Sequence, residues 1–347
     1  TGMLFVTPSP TSTDAAEMIC KRFKIDQVRF TNSGTESTMY AVRVARSASG
    51  KMGILKVEGG YHGSYDPFVV SAKPPLDKAG DPEEPTAVMD SNLVPGDIYV
   101  VPYNNVSALE AMFEKNASKI ACYIVEPVLE NLAIILPDAG YLERVRELCD
   151  EYNVILIFDE VKTGLTAGAH GASVRLGVEP DLITLAKSIG GGVPLAAFGG
   201  KKKYMDFVTN GKMAHFGTFN GNPLAMAGVR AIDRLCTDEA LAAAEALNQQ
   251  ALDRISEIID EYQLPAHTVG FGVKGCVTWS TTPVRNYRDY KATDFGIAEA
   301  HWLFALNRGI ITPPGLDEQW LISLAHGQTE IDLLVEDFRE FAKALRS

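Results

Sequence analysis

Residues 155–192 read ILIFDEVKTGLTAGAHGASVRLGVEPDLITLAKSIGGG, and the rest of the chain is organised around them. In and beside this stretch, Val154–Phe158 and Leu182–Ala186 are short apolar runs of the kind that form buried strands of a parallel sheet. Each run ends on one charged residue, Asp159 and Lys187. Ligands of open α/β sheets gather at the carboxyl ends of strands, so this reading points one carboxylate and one amine into one crevice. Taken singly, Asp159 also reads as a helix N-cap and Lys187 as a solvated surface lysine. The apolar residues before Lys187 and the Ser-Ile-Gly-Gly-Gly after it favour burial near the crevice. An acid and a lysine at one ligand site suit pyridoxal phosphate, where the lysine forms a Schiff base and the acid pairs with the pyridine nitrogen.

Upstream, Thr13 or Asp14 caps a helix with Ala15, Met18, Ile19 and Phe23 on one face. Val28–Thr31 reads as a strand and runs into Asn32-Ser33-Gly34-Thr35-Glu36-Ser37, then a helix carrying Met39, Val42 and Ala45. Strand, small-residue turn and helix is a geometry in which backbone N–H groups and hydroxyls hold a phosphate; it is also that of an ordinary capped helix. The strand Ile54–Val57 leads into Glu58-Gly59-Gly60-Tyr61-His62-Gly63, whose aromatic either lies over a flat ring or is a half-buried turn residue. Residues 72–94 are rich in Pro, Asp and Glu and read as a long loop. A strand over Ala121–Val125 ends in Glu126-Pro127-Val128, with Asn131 shortly after, and Tyr141–Tyr152 is helical.

Downstream, the loop His215–Pro223 leads into a helix and offers Thr218 as a second phosphate ligand, with the same ordinary alternative. The composition changes at the Ala- and Glu-rich helix Asp238–Tyr262. Strand-like Gly275–Ser280, helix Thr293–Arg308, strands Ile310–Thr312 and Leu321–Ala325 and helix Glu330–Leu345 follow. The expected organisation is a large ligand-binding domain over 1–236 and a smaller α+β domain over 237–347. The glycines Gly190–Gly192 lack the spacing and the downstream acid of a dinucleotide fingerprint.

The chain has 347 residues and a net charge of −12, which argues against nucleic acid as a partner. Five cysteines, widely spaced and odd in number, argue against a disulfide framework or a structural zinc and for a reducing, cytoplasmic compartment. No apolar run is as long as a membrane helix needs, and no signal peptide is visible. The chain opens on Thr1 in a loop-like run, so a missing leading segment is expected.

The succession SGTES, GGYHG, EPV, IFDEV, LAKSIGGG and GTFNGNP resembles the class III (fold type I) pyridoxal-phosphate aminotransferases, and within them the glutamate-1-semialdehyde aminomutase group. The resemblance runs from about Phe5 to Ala342 and includes Leu321-Ile322-Ser323-Leu324-Ala325-His326. It implies an α/β fold with a mostly parallel sheet flanked by helices, pyridoxal 5'-phosphate as cofactor, and a homodimer with shared active sites. It assigns Lys187 to the Schiff base and the proton shuttle, Asp159 to the pyridine nitrogen, and Val161 and Tyr61 to the two faces of the ring. Ser33, Gly34 and Thr35 bind the phosphate, which Thr218 reaches from the other subunit. Glu126, Asn131, His62 and Glu318 line the pocket.

The chain departs from the aminomutase in one region above all. That enzyme closes a mobile Ser/Gly/Thr-rich loop after the YHG motif over its intermediate, whereas the corresponding stretch here is SAKPPLDKAGDPEEPTAVMDSN. A lid that closes poorly releases product, which favours transfer between a small-molecule amino donor and a keto acceptor over isomerisation. Lys162 stands where an apolar residue is usual, and Gly164-Leu165-Thr166 replaces Gly-Phe-Arg. Arg285 and Arg288 are anion partners or, more simply, surface charges. The expected activity is therefore amino transfer. The alternatives are the aminomutase reaction, another pyridoxal-phosphate reaction such as racemisation or decarboxylation, and a family-shaped scaffold without activity.

Overall fold

A computed structural model describes residues 9–89, 96–314 and 319–347. The chain divides into two compact units, one of Thr1–Pro127, Pro137–Leu165 and His170–Leu235, the other of Val128–Leu136, Thr166–Ala169 and Cys236–Ser347. The second unit thus takes in two short segments from the middle of the sequence besides its C-terminal third.

The first unit is built on a seven-stranded sheet: β1 Gln27–Thr31, β2 Gly53–Val57, β3 Ile98–Val101, β4 Ile120–Val125, β5 Ile155–Asp159, β6 Leu182–Leu185 and β7 Ala196–Gly200. Its order is β1-β7-β6-β5-β4-β2-β3. Strands β6, β5, β4, β2 and β3 are parallel neighbours, while β7 is antiparallel to both β6 and β1. Two reversals restore direction, so β1 ends at the same edge as β2, β4, β5 and β6.

Helices cover both faces, as continuous apolar strands require. Within β6, Leu182 packs with Val42 and Ala45 of the helix Gly34–Ser49 (α2), whereas Ile183 and Leu185 pack with Ala15, Ile19 and Phe23 of the helix Pro10–Phe23 (α1). This is the two-fold alternation of strand side chains, with a core on each side. Two further helices, α3 (Asp66–Val69) and α4 (Val106–Asn116), follow β2 and β3.

Three local expectations are corrected. The cap of α1 is Ser9, with Pro10 at the first helical position, rather than Thr13 or Asp14. Ile310–Thr312 is not a strand, and the strand expected over Leu321–Ala325 is the two-residue β10, Trp320–Leu321. The sequence reading also passed over β7. Its Ala-Ala-Phe-Gly-Gly lacks an apolar run, yet it is fully buried because it lies between two strands.

In the second unit β10 pairs with β9 (Lys274–Thr278), which pairs with β8 (His267–Phe271), all antiparallel. The helices Asp238–Glu261, Phe295–Asn307 and Gln328–Arg346 belong to this unit. No helix among the described residues is long and apolar enough to cross a membrane.

Candidate active site

Five parallel-running strand ends set out the residues in question along one edge of the sheet. Asp159 closes β5 and is 4% exposed. Three groups fix its carboxylate. His62 Nδ1 lies 2.7 Å from Oδ2; Thr184 Oγ1 (3.0 Å) and the Val161 N–H (3.1 Å) donate to Oδ1. A carboxylate only accepts, so His62 donates from Nδ1. Its Nε2 is buried with no hydrogen-bond partner among the described residues.

Thr184 is Asp159's register partner on β6, and Lys187 follows three residues later. The amine and the acid therefore rise from adjacent strand ends. Lys187 is exposed, which corrects the expectation of burial. It stands beyond the last residue of β6 and adopts φ +50°, turning the chain into the short 3₁₀ helix Lys187–Gly190. A non-glycine residue in the left-handed region costs about 1–2 kcal/mol, and such outliers gather at functional sites. The neighbouring Ser188 Oγ is buried without a hydrogen-bond partner among the described residues. It was not singled out in the sequence.

The turn after β1 comes to the same place. Ser33 caps α2 by accepting from the Glu36 N–H (3.2 Å), so the ordinary capping reading holds. The same turn leaves first-turn N–H groups without intrahelical partners, the feature that makes a helix N-terminus an anion site. Gly34 packs so closely that a Cβ there would lie 3.2 Å from Val161 Cγ1 and 3.7 Å from the Ala186 Cβ. The first residue of α2 is thus wedged between the residue two beyond Asp159 and the residue just before Lys187.

The Glu58–Gly63 turn after β2 lies over the start of α2. Thr38 Oγ1 donates to the His62 carbonyl (2.7 Å), and Thr35 Oγ1 accepts from the Ser64 N–H (3.2 Å). His62 is buried and Tyr61 is 39% exposed. Glu126, directly after β4, is buried, and Tyr103 Oη donates to the adjoining Pro127 carbonyl (2.8 Å).

The remaining expected residues are placed differently. Asn131 is half-buried within Val128–Leu136, a segment of the second unit rather than of the large domain. Its neighbour Glu130 forms a buried pair with Lys274 (2.5 Å) there. Thr218 is exposed; it is Asn220 that ties its loop to the α2 turn, accepting from Asn32 Nδ2 at 2.8 Å. Asn220 Nδ2 also lies 3.2 Å from His215 Nε2. Burial, helped by the charges of Arg29 and Arg43, pushes His215 down to about 4, which leaves that nitrogen free to accept. Glu318 lies outside the described residues. Lys162 is buried, Arg285 exposed and Arg288 half-buried.

The sequence model of the class-III aminotransferases matches residues 3–298. The chain is similar to glutamate-1-semialdehyde 2,1-aminomutase of Francisella philomiragia subsp. philomiragia, 36% identical over 338 residues covering 95% of this chain and 77% of that protein. Its fold is similar to an omega-transaminase from Sphaerobacter thermophilus (TM-score 0.93, 31% identity, 100% of this chain and 81% of that one). It is also similar to a glutamate-1-semialdehyde-aminomutase from Pseudomonas aeruginosa PAO1 in complex with PMP (TM-score 0.88, 26% identity, 99% and 77%).

Proposed function

We propose, from the premise that this chain belongs to the class III aminotransferase family, that it moves an amino group from an amino acid or amine donor to a keto acid or aldehyde acceptor. The family works with pyridoxal 5'-phosphate. When bound, this cofactor supplies an electron sink for the charge that develops as a substrate carbon loses its proton.

The residues present fit that group. A buried, three-fold-held carboxylate at Asp159 suits a protonated ring nitrogen, because an adjacent negative charge favours the protonated form. Lys187 supplies the primary amine that holds the cofactor and then carries the proton. Ser33, Gly34 and Thr35 offer the helix N-terminus to the phosphate. Val161 and Tyr61 would take the two ring faces, and His62 and Glu126 would line the pocket. Holding these groups on strand ends keeps amine and substrate carbon aligned.

Thr218 serves the phosphate of the second subunit in a homodimer. The exposed Phe216 (83%), Phe219 (57%) and Leu224 (57%) around it support a second copy covering this loop. The five cysteines are thiols rather than disulfides, which supports a reducing, cytoplasmic setting.

One observation carries amino transfer over isomerisation: the loop after the Tyr61-His62-Gly63 turn is tied down. The Ser71 N–H donates to the Val88 carbonyl (2.7 Å), the Val88 N–H to Ser71 Oγ (2.9 Å), and the Thr86 N–H to the Ala79 carbonyl (2.8 Å). Glu83 accepts from Asn105 at the cap of α4 (2.5 Å), and Glu84 pairs with Lys115 within that helix (2.9 Å). The exposed pairs contribute little in water, but the backbone bonds hold residues 71–88 as a wall rather than a lid. A site without a closing lid lets the keto product leave.

Incubating the cofactor-loaded protein with an amino donor alone tests this. The visible band should bleach with release of one keto product per site and return on adding a keto acceptor. The similarity to named aminomutases favours a second reading. Conversion of glutamate-1-semialdehyde to an isomer that keeps all its nitrogen, without bleaching by donors, would establish that reading instead.

A further inference from the structure

Lys56 lies in the middle of β2 and is fully buried. Its Nζ donates to two carbonyls, of Phe68 (3.0 Å) and Val70 (2.6 Å). Phe68 is within α3 and Val70 is its C-cap, so the lysine grips the chain just after the Tyr61-His62-Gly63 turn. The buried Phe68 ring meets the His62 imidazole edge to face, with centroids 6.0 Å apart. His62 in turn donates to Asp159. Lysines are among the residues least often fully buried, and here both hydrogen-bond partners of the amine are carbonyls of this one segment.

We propose that Lys56 is a positioning residue: by fixing the Phe68 and Val70 carbonyls it holds the Phe68 ring against His62, and through His62 it orients the Asp159 carboxylate. The inference rests on reading Asp159 as the acid at the cofactor's ring nitrogen. Burial pushes the Lys56 amine down to about 7, with the charge of Glu126 pulling the other way. A neutral amine keeps two N–H bonds, the number that these two carbonyls take. The strap therefore holds in either protonation state.

The test reads His62 directly. In cofactor-loaded protein with isotope-labelled histidine, the Nδ1 proton shared with Asp159 gives a far-downfield magnetic resonance signal, assigned by its loss in His62→Asn. Lys56→Met removes both donors and keeps the chain length; Phe68→Leu keeps the strap and removes the ring. Each variant should shift or broaden the His62 signal and lower kcat by about 10- to 100-fold with KM little changed, the signature of a displaced rather than a missing group. An unchanged His62 signal in folded Lys56→Met overturns the proposal. If that variant does not fold, an unchanged signal in Phe68→Leu overturns it. Both signal changes in a protein that transfers no amino group would refute the activity and leave the positioning link standing.

Discussion

His62 Nδ1 stands 2.7 Å from Asp159 Oδ2, and both side chains are buried. A charge-assisted hydrogen bond in a low-dielectric setting is stronger and more directional than one at a surface. It fixes which imidazole nitrogen carries the proton and which carboxylate oxygen stays oriented. With Thr184 and the Val161 N–H on the other oxygen, Asp159 is set in place before any ligand arrives.

Asp159→Asn keeps the shape of this arrangement and removes its charge. We expect the purified variant to retain most of its cofactor, judged by its visible band, while turnover falls by orders of magnitude, because a neutral amide does not favour a protonated ring nitrogen. Near-normal turnover would contradict the role of the acid.

Lys187→Ala removes the amine. The visible band of covalently held cofactor and amino transfer should vanish together, with the thermal unfolding of the apoprotein little altered because Lys187 is exposed. A variant that keeps both colour and turnover would show that another amine does this work.

Thr184→Val is nearly isosteric and leaves one buried carboxylate oxygen short of a donor. A hydrogen bond to a charged group contributes about 1.5–3 kcal/mol. A loss of that order in urea unfolding, with reduced turnover, is expected. Unchanged stability would mean that the Val161 N–H alone suffices.

Gly63→Ala and Gly50→Ala form a matched pair. Both glycines have positive φ, +101° and +70°, but a Cβ at Gly63 would lie 2.8 Å from the Thr35 Cα, whereas at Gly50 it meets nothing within 4 Å. Gly50→Ala should cost about 1 kcal/mol of backbone strain. Gly63→Ala should cost more and also weaken cofactor affinity, because it pushes on the phosphate turn. Equal cofactor affinity in the two variants would argue against Thr35 as a ligand.

His301 gives a pH signature in the second unit. Its ring stacks on Phe341 (centroids 4.9 Å) and meets Trp279 and Phe338 edge-on, and burial lowers its pKa from 6.5 to about 4. Between those values the unfolded chain binds the proton and the folded chain does not. Stability from the neutral imidazole is therefore complete above pH 6.5, lost as pH falls towards 4, and changes no further below that. The loss is at most about 3 kcal/mol. His301→Phe should flatten this part of the stability profile in urea melts at pH 7 and pH 4.5, and an unaltered slope would exclude His301 as its source.

The candidate site was legible wherever its chemistry sits at the end of a local pattern. An apolar run closed by a charge marked Asp159 and Lys187, and small-residue turns before helices marked Ser33–Thr35. Such signals depend on neighbours a few residues apart, so one sequence carries them. Thr184 and Lys56 gave no such signal: each is one more residue within a strand. Thr184 matters because of the register of β6 against β5, and Lys56 because α3 folds back over β2.

What the sequence determined by itself is the set of strand ends, their order along the chain and the kinds of group they carry. Apolar runs must be buried, and the charges that stop them must find a polar exit. Only the tertiary structure decided which ends meet. The two antiparallel pairings of β7 return β1 to the edge shared with β5 and β6, and chain packing assigned Asn131 to the second unit. Strand order and register are chosen by contacts between residues far apart in sequence, and no local periodicity encodes them.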